Sequence, residues 1–439
     1  MAMTMDYPDS VEYLYSLGNE SKTLKLDLEA MAVLLSALGN PQRAFHSVHV
    51  AGTNGKGSSS AMIEAGLRAA GIRTGLYTSP HLMEPTERIQ VAGVPVTPAQ
   101  FTGAFQSVHQ AAEQLLAAGR LELHPSYFDT VTAMAFLLFR DQRVDTAIIE
   151  VGLGGRLDST NVLMPVVSVI TPIDFDHEAI LGGSIEQIAM EKAGILKPRV
   201  PAVFARQRAE AEAVLEARAV ELDVPVLRAS ARTVEVLEVT ARGSRFLVDG
   251  MEIQCPLAGE HQIENAVTAV ATLRALHTPE EAIATGIAGT HWPGRLEFMG
   301  ERPTLILDGA HNPAGARALA AYTRQFFSDR TRWLIYGAMR DKSVQEITEI
   351  LFPAAQHVIV TAPKMPRAVR PETLVNAADH PDIRVAHDLS AAVGMAREAG
   401  PDDVIFVTGS LYLVGEVRAL LVGRPGLIPS RQSVTQHRT

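Results

Sequence analysis

From His46 onward, short apolar runs alternate with amphipathic helical stretches, and that alternation most constrains what this chain can fold into. A strand that is apolar along its whole length must be covered on both faces. The usual solution is a parallel sheet whose crossover connections are helices. Residues 47–51, 73–77, 145–151, 166–171 and 201–205 read as its strands. Ligands of such sheets gather at the carboxyl ends of the strands, so the residues that close these runs are the first place to look for chemistry.

The pattern is interrupted once and then begins again. Residues 234–255 are rich in β formers, with turns at Arg242-Gly243-Ser244 and Asp249-Gly250, which predicts antiparallel strands at the sheet edge. A helix is expected over about 261–276. After His291-Trp292-Pro293-Gly294-Arg295 a second series of runs, 304–307, 332–336, 357–361, 383–386 and 403–407, again alternates with helices. The chain has 439 residues, more than one hydrophobic core usually serves. Two α/β domains are therefore expected. Residues 1–299 form a P-loop-type, mostly parallel sheet domain with a small antiparallel edge region, and residues 300–439 a Rossmann-like α/β domain, with the boundary near 299–302. Ahead of the first strand, Leu24, Leu26, Leu28, Met31, Leu34, Leu35 and Leu38 keep helical spacing until Gly39-Asn40-Pro41 ends the helix. This segment reads as an N-terminal cover.

Charge and cysteine content narrow the function classes. Lys and Arg total 39 against 49 Asp and Glu, with no dense basic run, which argues against a broad nucleic-acid or anionic-membrane surface. An anionic substrate must then be met by a local cluster of cations. Cys255 is the only cysteine, so no internal disulfide forms and a reducing compartment is expected. Followed by Pro256, it reads as structural rather than as a nucleophile. Neither a basic, apolar leader nor a run of about 18 apolar residues is present, and a cytoplasmic, non-membrane protein is expected.

The first run delivers Gly52-Thr53-Asn54-Gly55-Lys56-Gly57-Ser58 to a predicted helix start. Backbone N–H groups there can wrap an anion, and Lys56 can neutralise phosphate charge. The spacing is G-x-x-G-K rather than the usual P-loop spacing, and Gly57 stands where a hydroxyl normally follows the lysine. A plain glycine-rich turn competes with the phosphate-loop reading. A nucleotide triphosphate also needs Mg²⁺, which prefers hard oxygen ligands, so the missing oxygen must come from another loop. Ser79, in YTSPHL, follows the second strand, and Glu150, in AIIEVGLGGRLDSTN, closes the third. Ser79 alone reads more readily as a turn cap before Pro80, whereas a carboxylate closing an apolar strand is costly without a cation. The fourth strand ends in VITPIDFDHEAILG, which brings Asp174, Asp176 and His177 to the same edge. His177 is either a metal ligand or a residue that fixes the loop by hydrogen bonding. Lys192 lies on a helix capped by Ser184 with Glu186 in its first turn, where a lysine is ordinarily solvated.

Taken in order, HVAGTNGKGSSS, TSPHL, ERIQVAG, IIEVGLGGRLDSTN, DHEAILG, EKAGILKP, GEHQIENA, PGRLE and LDGAHNP resemble the motifs of the folylpolyglutamate synthase and dihydrofolate synthase family of the Mur ligase superfamily. The resemblance spans essentially the whole chain. It implies an ATP-dependent ligase that activates a folate or dihydropteroate carboxylate as an acyl phosphate and joins L-glutamate to it, with both synthase activities expected. Carried over residue by residue, Thr53, Asn54, Gly55, Lys56, Gly57 and Ser58 resemble the ATP phosphate loop, and Ser79, Glu150 and His177 the ligands of Mg²⁺, two ions being expected. Lys192 resembles the lysine that this family carbamylates. Asn265 and Arg295 resemble ATP contacts, with Arg295 near the hinge. Asp308 and His311 resemble residues that meet nucleotide from the second domain, although Asp308 also reads as a cap for the helix near Pro313. Arg88 and Phe128 resemble the pterin side of the site, and Phe128 reads nearly as well as core. For the incoming glutamate, Lys342, beside Asp341, and Ser410 lie at expected strand ends, although Asp341 and Lys342 can also simply pair with each other. The family resemblance also implies a monomer.

Two other classes compete. A peptidoglycan-type Mur ligase usually carries a UDP-sugar domain before the phosphate loop, and the roughly 50 residues preceding Gly52 are near the lower limit for an independent domain. A P-loop phosphotransferase, or a binding module without catalysis, predicts no requirement for both an acid and an amine.

Overall fold

The computed structural model describes residues 5–17, 28–376 and 379–423. Leu24 and Leu26 lie outside these residues. The first lobe is built on an eight-stranded sheet comprising β1 (His46–Ala51), β2 (Thr74–Tyr77), β3 (Ile89–Val91), β4 (Val94–Pro95), β5 (Thr146–Glu150), β6 (Val167–Ile170), β7 (Ala202–Phe204) and β8 (Val226–Arg228). Its order is β4-β3-β2-β5-β1-β6-β7-β8. The five expected strands are all present within two residues of their expected ends, paired in parallel from β2 to β8. The antiparallel pairs β2/β3 and β3/β4 close one edge.

Successive residues of a strand point to opposite faces, and β5 divides them accordingly. Ala147 and Ile149 enter one core with Phe101, Phe105, Phe136 and Phe139. Ile148 enters the other with Val48, Val50, Met62 and Val270. The first face is covered by helices Pro98–Ala117 and Tyr127–Asp141, and the second by Lys56–Ala69 and His261–Ala275. On the N-terminal cover, helix Tyr7–Ser16 is capped by Asp6, which accepts from the Asp9 amide. It sets Tyr7 and Tyr13 against Phe101 and Phe105. The following helix, Leu28–Ala37, stops where Gly39 and Asn40 adopt left-handed φ of 79° and 55° ahead of Pro41, as the sequence leads one to expect.

The β-rich segment forms β9 (Val234–Thr240), β10 (Gly243–Val248) and β11 (Met251–Cys255). They are antiparallel as expected but make a three-stranded sheet of their own. One face, carrying Phe246, Val248, Ile253 and Cys255, packs into the core around the 261–275 helix. Burial pushes the Cys255 thiol up to about 11, which keeps it an inert core residue.

The second lobe is a six-stranded sheet of β12 (Glu297–Glu301), β13 (Thr304–Leu307), β14 (Arg332–Tyr336), β15 (His357–Val360), β16 (Ile383–Val385) and β17 (Val404–Thr408). Its order is β12-β13-β17-β14-β15-β16, parallel except for β12. The expected domain boundary falls within β12, which pairs with β13. Among the described residues no helix is long and apolar enough to cross a membrane.

Candidate active site

The carboxyl ends of β1, β2, β5 and β6 face the β13 end of the second lobe across a cleft of about 320 Å³. In the loop after β1, the candidate phosphate loop, Gly55 has φ +84° and Lys56 opens the helix. Lys56 Nζ bends back to donate to the carbonyls of Gly52 and Thr53 at 3.2 and 3.1 Å. Burial holds its pKa below the ordinary lysine value, with Glu150 and Asp176 opposing that shift. Thr53 Oγ1 donates to the Asp174 carbonyl and accepts from its amide, at 3.0 and 3.1 Å, which ties the loop to the end of β6. A Cβ on Gly55 would collide with Asn265 Oδ1, so the glycine is required by both backbone and space. Gly55→Ala is therefore expected to lower stability by roughly 1–3 kcal/mol, measured by chemical denaturation. Gly57 faces Trp292, whose indole would lie 3.0 Å from an added Cβ. The space a hydroxyl-bearing side chain would use is thus narrowed by a tryptophan from the segment before β12.

Glu150 ends β5 with 4% exposure and accepts from the Ser79 amide at 3.2 Å. Burial raises its carboxyl above the usual range, and Lys56, the Ser79 amide, Arg295 and Arg88 only partly offset this. Lys192, far from being solvated, is 4% exposed and donates from Nζ to the Gly52 carbonyl at 2.8 Å. Burial, with Lys56 nearby, brings its ammonium down to about 7.

A cross-lobe cluster closes one end of the cleft. Lys342, from the second lobe, donates to Asp176 Oδ1 at 2.6 Å and lies 3.2 Å from His177 Nε2. Since an ammonium can only donate, His177 Nε2 is the acceptor. Burial and Lys342 lower the His177 pKa to about 4. Asp176 also accepts from Asn312 Nδ2 at 3.2 Å and lies 3.6 Å from His311 Nε2. Burial alone would raise its carboxyl, but His311, Lys342 and His177 hold it well below the usual range. Asn312 Nδ2 additionally donates to Asn54 Oδ1 at 2.9 Å, which joins the phosphate loop to the other lobe. The expected alternative of an Asp341–Lys342 pair is not what forms, because Asp341 instead lies 3.7 Å from Arg367. The reason is topological: the loop after β14 turns Lys342 toward a buried carboxylate on the opposite lobe.

At the end of β13, Asp308 accepts from the amides of Leu296 and Ala310, both at 3.0 Å. It does not cap the following helix: Asn312 does, accepting from the Gly315 amide at 2.9 Å. Arg295, Asn265, His261 and His311 line the same cleft. Asn265 is held by Gln262 Oε1 at 3.0 Å.

The pterin-side candidates lie apart from this cluster. Arg88 is buried, donates from Nε to His81 Nδ1 at 2.9 Å, and its guanidinium sits 5.2 Å from the centroid of the Tyr127 ring. His81 therefore carries its proton on Nε2, 3.2 Å from the Tyr15 hydroxyl, and Tyr15 stacks on Tyr127. Phe128 is half-buried, packs over Gly152 and tilts against Tyr77 at 6.2 Å, so it has core contacts while standing beside the loop that follows Glu150. Ser410 is buried, outside the residues lining the cleft, and its Oγ accepts from the Tyr412 amide at 3.2 Å.

Sequence reasoning missed three contributors. Trp292 marks only a boundary in the sequence, and Asn312 and Asp158 occur only inside longer motifs. Asp158 accepts from the amides of Gly152 and Leu153 at 3.0 and 3.1 Å and so shapes the loop after Glu150. Its only signal is its place three residues after the last glycine of Gly152-Leu153-Gly154-Gly155.

Comparison with known proteins fits this geometry. The Mur ligase middle domain matches residues 50–273 and the Mur ligase glutamate ligase domain residues 294–411, so both lobes are those of a Mur ligase. The dihydrofolate synthase/folylpolyglutamate synthase of Mycobacterium tuberculosis is 37% identical over 93% of each chain. The folylpolyglutamate synthase of Lacticaseibacillus casei is 36% identical over 95% of this chain and 99% of its own. A structure of M. tuberculosis folylpolyglutamate synthase with ADP and AMPPCP superposes with a TM-score of 0.87 at 36% identity, covering 94% of this chain and 99% of the other. E. coli FolC in complex with DHPP and ADP gives a TM-score of 0.85 at 30% identity, covering 96% and 100%. The chain belongs to the folylpolyglutamate synthase/dihydrofolate synthase family.

Proposed function

We propose that this chain joins L-glutamate to the carboxylate of dihydropteroate and of reduced folates, at the expense of ATP, acting as a cytoplasmic monomer. The observation that carries the reading is that the cleft is assembled from both lobes. Lys56, Glu150 and Lys192 come from one lobe and Asp308 and His311 from the other, and Lys342 of the second lobe bonds Asp176 of the first. A reaction that must gather three anionic substrates needs such a shared set of cations and donors.

The chemistry proceeds in two displacements. A carboxylate oxygen of the folate attacks the γ-phosphorus of ATP, the bond to the β-γ bridging oxygen breaks, and ADP leaves from an acyl phosphate. The α-amine of glutamate then attacks the acyl carbon, phosphate departs with its electron pair, and the nitrogen loses a proton to give the amide. Lys56 and the loop amides hold the phosphates. Arg295 and Asp308, at the hinge, bring the second lobe onto the nucleotide, and His311 faces the transferring phosphoryl group from that lobe. Arg88 and Phe128 take the pterin side, while Lys342 and Ser410 serve the glutamate side.

Ser79, Glu150 and His177 suit Mg²⁺: a carboxylate whose burial raises its pKa gains from a hard cation, and a serine hydroxyl is a hard oxygen donor. When bound, Mg²⁺ ions would neutralise phosphate charge as Lewis acids. We expect Ser79→Ala to raise the Mg²⁺ concentration needed for half-maximal rate several-fold and Ser58→Ala to leave it unchanged; equal effects would remove the case for Ser79. Lys192, at about 7, is largely neutral above that pH and so nucleophilic toward CO₂, and its carbamate would be an anionic oxygen ligand. Activity is accordingly expected to decline in CO₂-free buffer and recover with bicarbonate at pH 8, with little recovery at pH 6, where the amine is protonated. Lys192→Ala would be insensitive to bicarbonate.

Phosphate release measured with dihydropteroate or tetrahydrofolate, with and without L-glutamate, tests the whole reading. Turnover is expected only with acid and amine together. Release independent of glutamate would instead mark a phosphotransferase.

A further inference from the structure

Away from the cleft, helix Pro98–Ala117 carries His109 and Glu113 one turn apart, hence on one face. The segment that follows the helix brings His124 back to them. Ligand atoms of these three side chains lie within 4.8 Å of one another, and His124 Nε2 is 3.9 Å from Glu113 Oε1. His124 Nδ1 lies 2.9 Å from the Pro125 carbonyl. A carbonyl only accepts, so Nδ1 carries the proton and Nε2 presents a lone pair toward the Glu113 carboxylate unless a second proton is bound. His124 Nε2 and His109 Nδ1 are both buried atoms without a hydrogen-bond partner. An imidazole lone pair and a carboxylate facing one another at this distance gain from a cation between them, either a proton or a metal ion.

We propose that His109, Glu113 and His124 bind one transition-metal dication of the Zn²⁺, Co²⁺ or Ni²⁺ class, at a site separate from the nucleotide cleft. Two imidazole nitrogens with a single carboxylate oxygen suit these borderline ions better than Mg²⁺, whose ligands are mostly oxygens. The Nδ1–H bond to the Pro125 carbonyl fixes the His124 tautomer with Nε2 outward, the arrangement that outer hydrogen bonds give metal-binding histidines. Glu113, with 55% of its side chain exposed, is free to swing in and close the ligand separation to the roughly 3–3.5 Å that metal–ligand bonds of about 2.0–2.2 Å require. Tyr13, on the N-terminal helix, packs edge-on against both histidines at 4.7 and 5.9 Å. The bound ion would therefore pin that helix and residues 119–125, which lead directly into the helix bearing Tyr127 and Phe128.

The test uses tag-free, full-length protein stripped with chelator and titrated with Co²⁺ under saturating Mg²⁺. One equivalent is expected to bind with visible ligand-field absorption and to raise the melting temperature. His109→Ala and His124→Ala should weaken that equivalent by at least about tenfold, while Glu150→Gln and His177→Ala keep it. Glu113→Gln, an exposed change that leaves the packing alone, covers the case in which a histidine variant fails to fold, and should weaken it likewise. Co²⁺ binding unchanged in Glu113→Gln and the histidine variants, or lost in Glu150→Gln, or absent from the wild type, would overturn the proposal.

Discussion

Lys56→Ala is expected to reduce glutamate-dependent ATP turnover by at least about 10²–10³-fold, the cost of removing one preorganised charge from a developing phosphoryl anion. The melting temperature should stay within a few degrees of the wild type. The reason lies in the partners of the side chain: Nζ bonds the carbonyls of Gly52 and Thr53, both in its own loop, and takes no part in the core. Its burial already depresses its pKa, so the ammonium is held at a desolvation cost that anionic phosphate would offset. A variant that ligates at a rate within tenfold of the wild type would show that the loop does not hold the transferring phosphates.

The second large effect is expected for Glu150→Gln. The amide preserves shape and can still accept from the Ser79 amide, but it removes the negative charge. Turnover should fall by about 10²-fold or more, with the Mg²⁺ requirement moving upward. Stability should move the other way. Because burial raises the folded-state pKa of Glu150, the unfolded chain releases this proton first. The group therefore lowers wild-type stability as pH rises through the ordinary carboxylate value toward the raised one. Glutamine has no such term. Denaturation of metal-free protein between pH 4 and 8 should show a flatter profile for the variant, and matching profiles would sink the argument. A fall in activity accompanied by loss of stability at pH 7 would mean that Glu150 is structural.

Much of the fold was legible because its signals are local. Within 145–151, Ala147, Ile148 and Ile149 are apolar on both faces, as suits a covered parallel strand, and β5 does divide its side chains between two cores. The antiparallel strands 234–255 were legible as strands but not as a separate sheet, since pairing partners are not written in a strand's own residues. The strand β12 shows the same limit: Phe298 and Met299 have no local mark that assigns them to the second sheet. In the site, Lys56, Glu150 and Lys192 lay in recognisable motifs. Their environments did not. A helical lysine after a glutamate is ordinarily solvated, and only packing shows Lys192 buried against the phosphate loop.

What the sequence determined by itself is the inventory: strand ends that carry chemistry, a lysine at the start of a helix, and glycines where the chain needs left-handed backbone. These follow from short-range sterics and periodicity, which act over a few residues. The tertiary structure decided who meets whom. It set Lys342 on Asp176 rather than on its neighbour Asp341, and placed Trp292 against Gly57. Each of these pairs residues more than a hundred positions apart, or displaces a local partner. Charges and acceptors removed from water take whichever complement the folded chain brings within hydrogen-bonding distance, and sequence proximity has no vote in that choice.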